Sequence, residues 1–596
     1  MSLLVADIEA NGLLDTVTDI WQVSIAEKID GEWVLDSYNR DTLHDGFDRL
    51  YAADKIVGHY FLGYDVPAIK LVTGVQISAT KIIDTIVLSR LANPERGGGH
   101  SLASWGLELG HPKVEHEDWT QWSPEMQVRC DEDVMINVKV WEKLAPMLTE
   151  QPLACHIEHC TAAVIARMCE TGVHFDVAGG YRLLDELMSN VENLRGPLEQ
   201  LLPYVYKRKG KTRSLKRKPN KAHWAHGNME AASEFTEVQH VKLEIGSRLD
   251  VVRYLKDKHG WVPTELTKTG LPKLNAEVLA DLPWAECTQF AEYFKTIKIL
   301  GYLNAEVNAS GYGGGWLQHV TDEGKLHAGF IPLTAVTGRP SCVAPNLQQV
   351  PTDSRVRALF GPRAGWVQVG VDAEGQELRC LGHYMSHYDG GSYAREVVEG
   401  DIHTRIQKLI GFHGRTTTKP VEYGLIYGAG NPKLGMLSAK DAVAHNMPYS
   451  KNYAKVGKAI RKAILEGLTG YKELNETVME RAKAQGKLKG IDGRTLWVRS
   501  PRSALNLIMQ SAGIIHMKMA ISMLDEFLTG AGLVQAQDYE LILWVHDELQ
   551  FECKPEHAEL LGKTVAACLE EAAVRLGFKL PMTGEYKIGN NWSECH

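Results

Sequence analysis

The residues best able to do chemistry are acidic groups that follow two apolar, strand-like stretches. Stretch 541–552, LILWVHDELQFE, has two apolar runs around a polar centre, which predicts a β-hairpin with Asp547 and Glu548 at its turn. Stretch 366–377, WVQVGVDAEGQE, alternates valines as a half-buried strand and places Asp372 at its end. Adjacent carboxylates repel one another and lose solvation, so a cation usually neutralises them. For 541–552 taken alone, an exposed hairpin tip is the alternative.

Two strands that each present one aspartate could hold a pair of Mg²⁺ ions about 3.5–4 Å apart. Ions at that spacing clamp both the attacking and the leaving oxygen of a phosphoryl transfer. The two stretches therefore predict nucleotidyl transfer, with Asp372 and Asp547 as metal ligands.

A third stretch, RTTTKPVEYGLIYG at 415–428, carries cations at helical spacing. Arg415, Lys419 and Tyr423 stand at i, i+4 and i+8, so they share one face of a helix. Cations there could meet an incoming triphosphate and offset the charge on the leaving pyrophosphate, whereas a solvated helix face is the alternative. Because Pro420 interrupts helical hydrogen bonding, the helix is either kinked there or begins later, with Arg415 on the entry loop.

Together these stretches resemble the family A (Pol I-like) DNA polymerases. Asp372 with Glu377, segment 415–428 and VHDE at 545–548 look like motifs A, B and C of that family, in the right order. The likeness is strongest to the replicative polymerases of short-tailed lytic phages, and it includes TGR at 337–339, LNLIMQSAG at 505–513 and NWSECH at 591–596. It runs nearly end to end and implies a right-hand fold of palm, fingers and thumb.

The resemblance assigns roles around the metal ions and the DNA. It implies that Asp372 and Asp547 ligate both Mg²⁺ ions, with Mn²⁺ as an alternative ion, that the Ala373 carbonyl assists, and that Glu548 supports the site without being an obligatory ligand. Primer–template contacts are implied for three further residues: Arg339, Gln510 and His546. Donors in the minor groove suit a copying enzyme, since the purine N3 and pyrimidine O2 acceptors occupy similar places in every correct pair.

The same resemblance implies a binding site for the incoming dNTP. His403 would lie near the β-phosphate, and Arg415 and Lys419 near the rest of the triphosphate. Tyr423 would stack beneath the nucleotide, and Glu377 would fill the space that a ribose 2′-hydroxyl needs. A tyrosine rather than a phenylalanine at position 423 implies ready incorporation of dideoxynucleotides.

The start of the sequence carries a second acidic set. Asp7 and Glu9 share one face of a predicted strand, because side chains alternate with period two. With Asp65 and Asp133 they resemble the four metal-binding carboxylates of an RNase H-like DEDD 3′–5′ exonuclease domain. Two ions are again implied, one activating a water and one stabilising the departing 3′ oxygen.

This part of the sequence departs from the family pattern twice. Arg129 stands where the family usually has a tyrosine that orients the attacking water, and Tyr60 stands where an asparagine is common. The ligand set is complete while the surroundings of the water differ. We therefore expect proofreading activity, against the alternative of a scaffold with slow chemistry.

The middle of the chain offers two candidate binding features. Cysteines and histidines at 155–160 could be taken for a zinc cluster, but their crowding on a predicted helix favours a plain helix turn. The run 207–221 has nine cationic residues and no acidic one, within a predicted loose loop at 204–240. We expect Lys216, Arg217 and Lys218 to hold duplex DNA, whereas a solubilising loop is the alternative. The loop is shorter than the thumb insertion that binds thioredoxin in the resembling phage enzymes, so thioredoxin dependence is not expected.

Bulk properties set the remaining expectations. A chain of 596 residues is too long for one core, and its net charge of −9 requires local basic patches for DNA contact. Ten cysteines without CxxC pairs and the lack of an apolar run near 20 residues predict a reduced, cytoplasmic protein without a membrane span. We expect an α/β and α+β multidomain protein: exonuclease 1–150, thumb 151–310, palm 311–402 and 488–596, fingers 403–487.

The sequence alone leaves two other functions open. The polymerase half could be silent beside an active exonuclease, or the whole chain could be a non-catalytic DNA-binding subunit. Retention of both metal aspartates argues against each, because simple DNA binding needs no buried acid pair. A helicase–primase and a single-stranded DNA-binding protein are candidate partners beside primer–template DNA and dNTPs.

Overall fold

The computed structural model describes residues 2–214, 234–263, 266–267, 269–304, 314–426 and 428–596. Two compact units are present: residues 1–179 with 307–596, and residues 180–306. The smaller unit thus begins at Gly180 rather than at the expected residue 151. The reason lies in the helix at Pro152–Thr171, which packs within the larger unit.

A five-stranded mixed sheet opens the larger unit. Its strands are β1 (Leu3–Ala10), β2 (Ile20–Ile29), β3 (Glu32–Asn39), β4 (Lys55–Gly58) and β5 (Ile82–Asp84), in the order β3-β2-β1-β4-β5. Its helices are α1 (Leu43–Ala52), α2 (Asp65–Thr73), α3 (Thr85–Ala92), α4 (Leu102–Glu108), α5 (Pro124–Leu144) and α6 (Met147–Glu150). β1 runs antiparallel to β2 and parallel to β4, and α5 packs on β1 and β2. The central strand β1 is therefore covered, and it carries Asp7 and Glu9.

Helix α7 (Pro152–Thr171) is tied to the second half of the chain by a buried ionic network. Glu158 accepts hydrogen bonds at 2.7 Å from the ammonium of Lys518 and is 2.6 Å from the guanidinium of Arg494. Arg494 also pairs with Asp492. All four side chains are at most 2% exposed, so each charge depends on its partners for the solvation that burial removes. After α7, β6 (Val173–Phe175) pairs with the later strands at 325–326 and 360–361.

The smaller unit has a helical core with short strand pairs. Its elements are α8 (Val177–Leu201), β7 (Tyr204–Arg208), β8 (Arg213–Ser214), β9 (Glu234–Phe235), β10 (Val238–Lys242), α9 (Arg248–His259), α10 (Ala276–Ala280) and α11 (Ala285–Asn304). Strands β7 and β10 pair antiparallel over five residues, and β8 pairs with β9. The expectation of a loose loop at 204–240 is wrong for these flanks, because they form a ladder in which Val205 faces Val241 and Tyr206 faces His240. Lys216, Arg217 and Lys218 lie outside the described residues.

A four-stranded antiparallel sheet organises the second half of the chain. Its order is β18 (Tyr539–Val545), β19 (Glu548–Cys553), β15 (Val367–Ala373) and β20 (Gly584–Gly589). Helix α21 (Ala558–Leu576) packs against β15 and β20. The expected half-buried β15 is wrong, because Gln368 and Gly370 on the other face are also buried. Residues 591–596 cover that face.

Short strands and a group of helices surround this sheet. Their bounds are β11 (Lys325–Leu326), β12 (Gly329–Ile331), β13 (Ser341–Val343), α12 (Ser354–Arg357), β14 (Phe360–Gly361), α13 (Gln376–Asp389), α14 (Ser392–Glu399), α15 (Ile402–Ile410), α16 (Arg415–Ile426), α17 (Asn431–Ala444), α18 (Tyr453–Gly467), α19 (Tyr471–Gln485), β16 (Lys487–Lys489), β17 (Thr495–Trp497) and α20 (Ala504–Gly530). Helices α13 to α20 share one apolar core. Within the described residues one helical stretch, Pro501–Gly530, is long and apolar enough to pass for a membrane span, and 89% of its apolar window is buried in the protein.

Candidate active sites

The turn between β18 and β19 brings Asp547 to the end of β15, beside Asp372. In the ladder Asp372 stands opposite Glu548, and the Ala373 N–H donates to the Asp547 carbonyl oxygen at 3.1 Å. His546 has a φ of 58°, a left-handed conformation that makes the turn tight enough for this approach. The two aspartates that the sequence singles out therefore converge.

Crowding of negative charge dominates the electrostatics here. Loss of solvation, reinforced by Asp547 and Glu548, raises the pKa of Asp372 to about 7. Loss of solvation, followed by the charge of Glu377, raises the pKa of Asp547 to about 6. Glu585, opposite Asp372 on β20, adds to this field and was not predicted from the sequence. A cluster of hard oxygen donors that resists ionisation fits Mg²⁺ or Mn²⁺.

Helices α13 and α16 bring two further predicted residues to the acid pair. Glu377 lies in the first turn of α13, where its charge acts on both Asp547 and Tyr423. Burial, followed by Glu377, raises the pKa of Tyr423 to about 12, so its phenol stays neutral. These two side chains are thus neighbours of the site, as expected.

Helix α16 begins at Arg415, and the Thr418 N–H donates to the Gly414 carbonyl at its start. Pro420 lies inside the helix, so the alternative in which the helix starts later is wrong. Arg415, Lys419 and Tyr423 consequently fall on one helical face.

His403 and Arg415 each have an acidic partner. The His403 imidazole Nδ1 pairs with Glu422, which is 3% exposed, and the Arg415 guanidinium donates to Asp401 at 3.2 Å. Burial raises the pKa of Glu422, although His403 and Lys419 oppose that rise. Nothing in the sequence singles out Glu422, because its burial depends on the packing of α15 against α16.

Arg339 and Gln510 approach the site from different elements. Burial lowers the pKa of His546, and the nearby charge of Arg339 lowers it further. At Asp547 burial raises the pKa, and the charge of Arg339 opposes that rise. Gln510 is half-buried on α20. Their contacts with DNA stay predictions.

Glu548 has a different environment from the two aspartates. It is 3% exposed, and both of its carboxylate oxygens contact other side chains. The Trp592 indole, at 2.8 Å, and the Gln550 amide donate to Oε1, and the Nδ1 atom of His596 lies 3.2 Å from Oε2. This agrees with an interpretation of Glu548 as a supporting residue.

A second group of carboxylates lies in the N-terminal sheet domain. Asp7 and Glu9 on β1 meet Asp65, the first residue of α2, and Asp133 on α5. Burial raises the pKa of all four, that of Glu9 to about 7, and the charges of Asp65 and Asp133 raise that of Asp7 further. The Asp133 Oδ1 atom is buried and lacks a hydrogen-bond partner among the described residues. Oxygen donors with an orphaned acceptor fit divalent cations.

Two cations of the chain lie within this group. Arg129 donates from Nε to the Glu9 carboxylate at 3.1 Å, and the Lys113 ammonium pairs with Asp133. Arg129 thus supplies charge where the family pattern has a phenol. Lys113 was not predicted, because it reaches Asp133 from a connection between helices. Cys130 was also missed: its thiol lies with Asp7 and Glu9, their ligand atoms within 4.8 Å of one another.

Tyr60 adopts a left-handed backbone with a φ of 64°, a conformation that asparagine tolerates better than tyrosine. Its N–H donates at 2.8 Å to Asp84, which is fully buried and also accepts from Leu62 and Ile86. These bonds hold the segment that leads into Asp65.

The helix at 155–160 has no zinc-like arrangement in the described structure. His159 accepts from the Asp84 N–H at 2.9 Å, and Cys160 lies 3.8 Å from His156 one turn away. The plain helix turn is supported, since each group has an ordinary local contact.

The two antiparallel-strand aspartates and the surrounding helices define an enzyme of nucleotidyl transfer, and the comparisons identify its family. Residues 216–594 match the profile of DNA polymerase family A, so the chain belongs to that family and is a DNA-directed DNA polymerase. It is 29% identical to the DNA-directed DNA polymerases of Enterobacteria phage T3 and Escherichia phage T7, over the full length of each. It is 26% identical to DNA polymerase I of Pseudomonas aeruginosa, over 60% of this chain and 39% of that protein.

A solved structure agrees with the fold. The polymerase domain of Pol1 from M. smegmatis, in complex with a DNA primer-template and dNTP, aligns with a TM-score of 0.73 and 16% identity, covering 99% of this chain and 96% of that one. At that identity the match establishes the fold alone. The family uses divalent metal ions for synthesis.

Proposed function

We propose that Asp372 and Asp547 hold two Mg²⁺ ions for transfer of a nucleotide to a primer end, with the Ala373 carbonyl assisting. The observation that carries this is the approach of the Asp547 turn to Ala373 at the end of β15. When bound, the ions activate the primer 3′-hydroxyl and stabilise the leaving pyrophosphate. The chain itself provides the two aspartates, which lie so close to other carboxylates that a bound cation would relieve their mutual repulsion.

In this proposal one face of helix α16 binds the incoming dNTP. Arg415 and Lys419 bind the triphosphate, and Arg415 exchanges Asp401 for phosphate when it does so. His403, oriented by Glu422, donates to the β-phosphate. Tyr423 stacks under the nucleotide, and Glu377 beside it excludes a 2′-hydroxyl. Arg339, Gln510 and His546 contact the primer terminus.

Primer extension with two matched aspartate variants tests the proposal. Asp372→Asn and Asp547→Asn are expected to abolish extension at any Mg²⁺ concentration, whereas Asp538→Asn on the same hairpin keeps it. Extension by either site variant at the parent rate would refute the assignment. Absence of extension by the parent protein would favour the silent or non-catalytic alternatives.

We propose a second activity, 3′–5′ exonuclease proofreading, for the RNase H-like DEDD domain at residues 1–150. The supporting observation is the buried convergence of Asp7, Glu9, Asp65 and Asp133, all with raised pKa values. Mg²⁺ or Mn²⁺ held there would activate the water that attacks the terminal phosphodiester. Arg129 keeps Glu9 oriented, and Lys113 balances charge near Asp133.

Degradation of a single-stranded primer tests this activity. Asp7→Ala with Glu9→Ala should stop degradation and leave extension intact. If the parent degrades the primer no faster than this double variant, proofreading is absent. An Arg129→Tyr variant that degrades faster than the parent would show that the missing phenol limits the rate.

The remaining assignments complete the proposal. Residues 180–306 act as the thumb, 403–487 as the fingers, and 311–402 with 488–596 as the palm. The protein works in the cytoplasm on primer–template DNA, and its basic run at 207–221 contributes to the grip on the duplex. Charge neutralisation of Lys216, Arg217 and Lys218 should then shorten the products made per binding event.

A further inference from the structure

Residues 590–596, the NWSECH segment with one preceding residue, lie against one face of the catalytic sheet. The Cys595 thiol donates to the Gln368 carbonyl at 3.3 Å. A Cβ atom at Gly370 would stand 2.4 Å from the Cys595 carbonyl oxygen, so only glycine allows this approach. Trp592 is fully buried beneath the same strands, edge-on to Phe360. The segment is thus built into the sheet that carries Asp372.

That same face carries Glu548 directly across from Asp372. Because the two are partners in an antiparallel ladder, their side chains project on one side, and like charges in such pairs repel. Glu548 adds to the rise in pKa of both Asp372 and Asp547. A buried carboxylate this close to a metal site would be drawn to the metal unless the protein held it elsewhere.

Residues 590–596 hold the Glu548 carboxylate away from the metal site. Trp592 and Gln550 donate to Oε1 of Glu548, and the Nδ1 atom of the His596 imidazole lies 3.2 Å from Oε2, within ion-pair distance. Gln550 is itself fixed, since its amide oxygen accepts from Gln368 at 2.6 Å. The Arg357 guanidinium stacks 4.6 Å from the Trp592 ring and adds positive charge near the carboxylate. Both oxygens of Glu548 are therefore engaged on the side of the segment.

We infer that Trp592 and His596 are positioning residues for nucleotide transfer, acting through Glu548. By contacting both of its oxygens they keep Glu548 from becoming a third carboxylate ligand, so the two aspartates, assisted by the Ala373 carbonyl, hold the cations. The inference deepens the proposed function, because it rests on the roles proposed for Asp372 and Asp547. Its consequence is that loss of the Trp592 or His596 contact disturbs metal binding and turnover without touching the dNTP site.

The test combines kinetics, metal binding and a second-site variant. His596→Ala and Trp592→Phe each remove one contact with Glu548, and Trp592→Phe keeps most of the ring. We expect kcat to fall roughly tenfold with little change in KM for dNTP, since small misplacement of catalytic groups is costly. Equilibrium binding of Mn²⁺ without DNA, followed by electron paramagnetic resonance, should become tighter, because the freed Glu548 adds an oxygen ligand.

The decisive comparison is made in a Glu548→Gln background. An amide competes poorly for the metal, so His596→Ala should then change kcat less than about twofold and leave Mn²⁺ binding unaltered. Ser593→Ala, in the same segment, is the matched control and should behave as the parent in both backgrounds. Thermal unfolding and single-strand degradation of each variant report whether the fold is retained.

The outcomes distinguish failure of the positioning role of Trp592 and His596 from failure of the metal-ligand role of Asp372 and Asp547. If His596→Ala leaves kcat and Mn²⁺ binding unchanged, or lowers kcat equally in both backgrounds, the inference is overturned while the aspartate assignment stands. If Asp372→Asn extends primers, the assignment itself fails. The His596 side chain is 47% exposed, so this variant should fold even where Trp592→Phe does not.

Discussion

Replacing Asp547 by asparagine is expected to stabilise the cation-free protein while it abolishes synthesis. In the folded protein the pKa of Asp547 rises from 3.8 to about 6, chiefly through burial and then the charge of Glu377. Two pKa units correspond to about 3 kcal/mol of cost for holding the ionised form, and partial exposure to water and salt reduce this to about 2 kcal/mol. Asparagine keeps the shape and removes that cost.

The pH window follows from the direction of the shift. Below about pH 3 the carboxyl group is protonated whether the chain is folded or unfolded, so it imposes no penalty. As pH rises towards 6 the unfolded chain releases the proton more readily, and folded stability falls; above about 7 the loss is complete. The advantage of the variant should therefore build up between about pH 3 and pH 7 and stay constant above that range.

Thermal unfolding in EDTA at pH 8 and pH 4.5 measures this difference. At pH 8 the variant should melt about 2 °C above the parent, and at pH 4.5, where about a third of the penalty remains, the difference should shrink to under about 1 °C. Excess Mg²⁺ should raise the parent more than the variant, because only the parent keeps the full ligand set. Asp538→Asn is the control of opposite sign: Lys554 bonds this carboxylate at 2.9 Å and lowers its pKa, so the variant should lose stability at pH 8. Two results would refute the proposed cost of ionising Asp547. One is an Asp547→Asn variant that is no more stable than the parent at pH 8, and the other is a stability gain at pH 4.5 as large as the gain at pH 8.

Three further substitutions test separate parts of the protein. Tyr423→Phe should increase discrimination against dideoxynucleotides, measured as the ratio of kcat/KM for dNTP and ddNTP; an unchanged ratio would contradict the stacking role. Glu377→Ala should admit ribonucleotides, and a primer extended with rNTPs as poorly as by the parent would exclude it as the barrier to the 2′-hydroxyl. Glu158→Gln should strand Lys518 and Arg494 without a full counter-charge and cost about 3–5 kcal/mol, seen as a lower unfolding midpoint; an unchanged midpoint would show that the network adds no net stability.

The sequence predicts individual strands and helices correctly where their formation depends on neighbouring residues. The hairpin around Asp547 and the strand that ends at Asp372 follow from alternation of apolar residues, which each segment shows by itself. The helix at 415–426 also forms as its spacing indicates, and Pro420 is accommodated within it. Residue types that bind divalent ions were thus correctly placed on their elements.

Other expectations failed where distant segments decide the outcome. β15 is buried on both faces because residues 591–596, more than 200 positions later, cover the face that local alternation left open. The boundary of the smaller unit moved to Gly180 because α7 packs against α20. The flanks of the basic loop pair as strands, a contact between residues about 30 apart that charge composition does not reveal.

The sequence by itself determined which residues could serve as metal ligands and cation donors, since this depends on chemical type and local spacing. Only the tertiary structure decided which of these carboxylates the protein holds in place. Asp372 is exposed and Asp547 half-buried at the strand end, whereas Glu548, one residue from Asp547, is buried and contacted on both oxygens by Trp592, Gln550 and His596. The difference arises because hydrogen-bond partners are set by packing, which no single stretch of the chain contains.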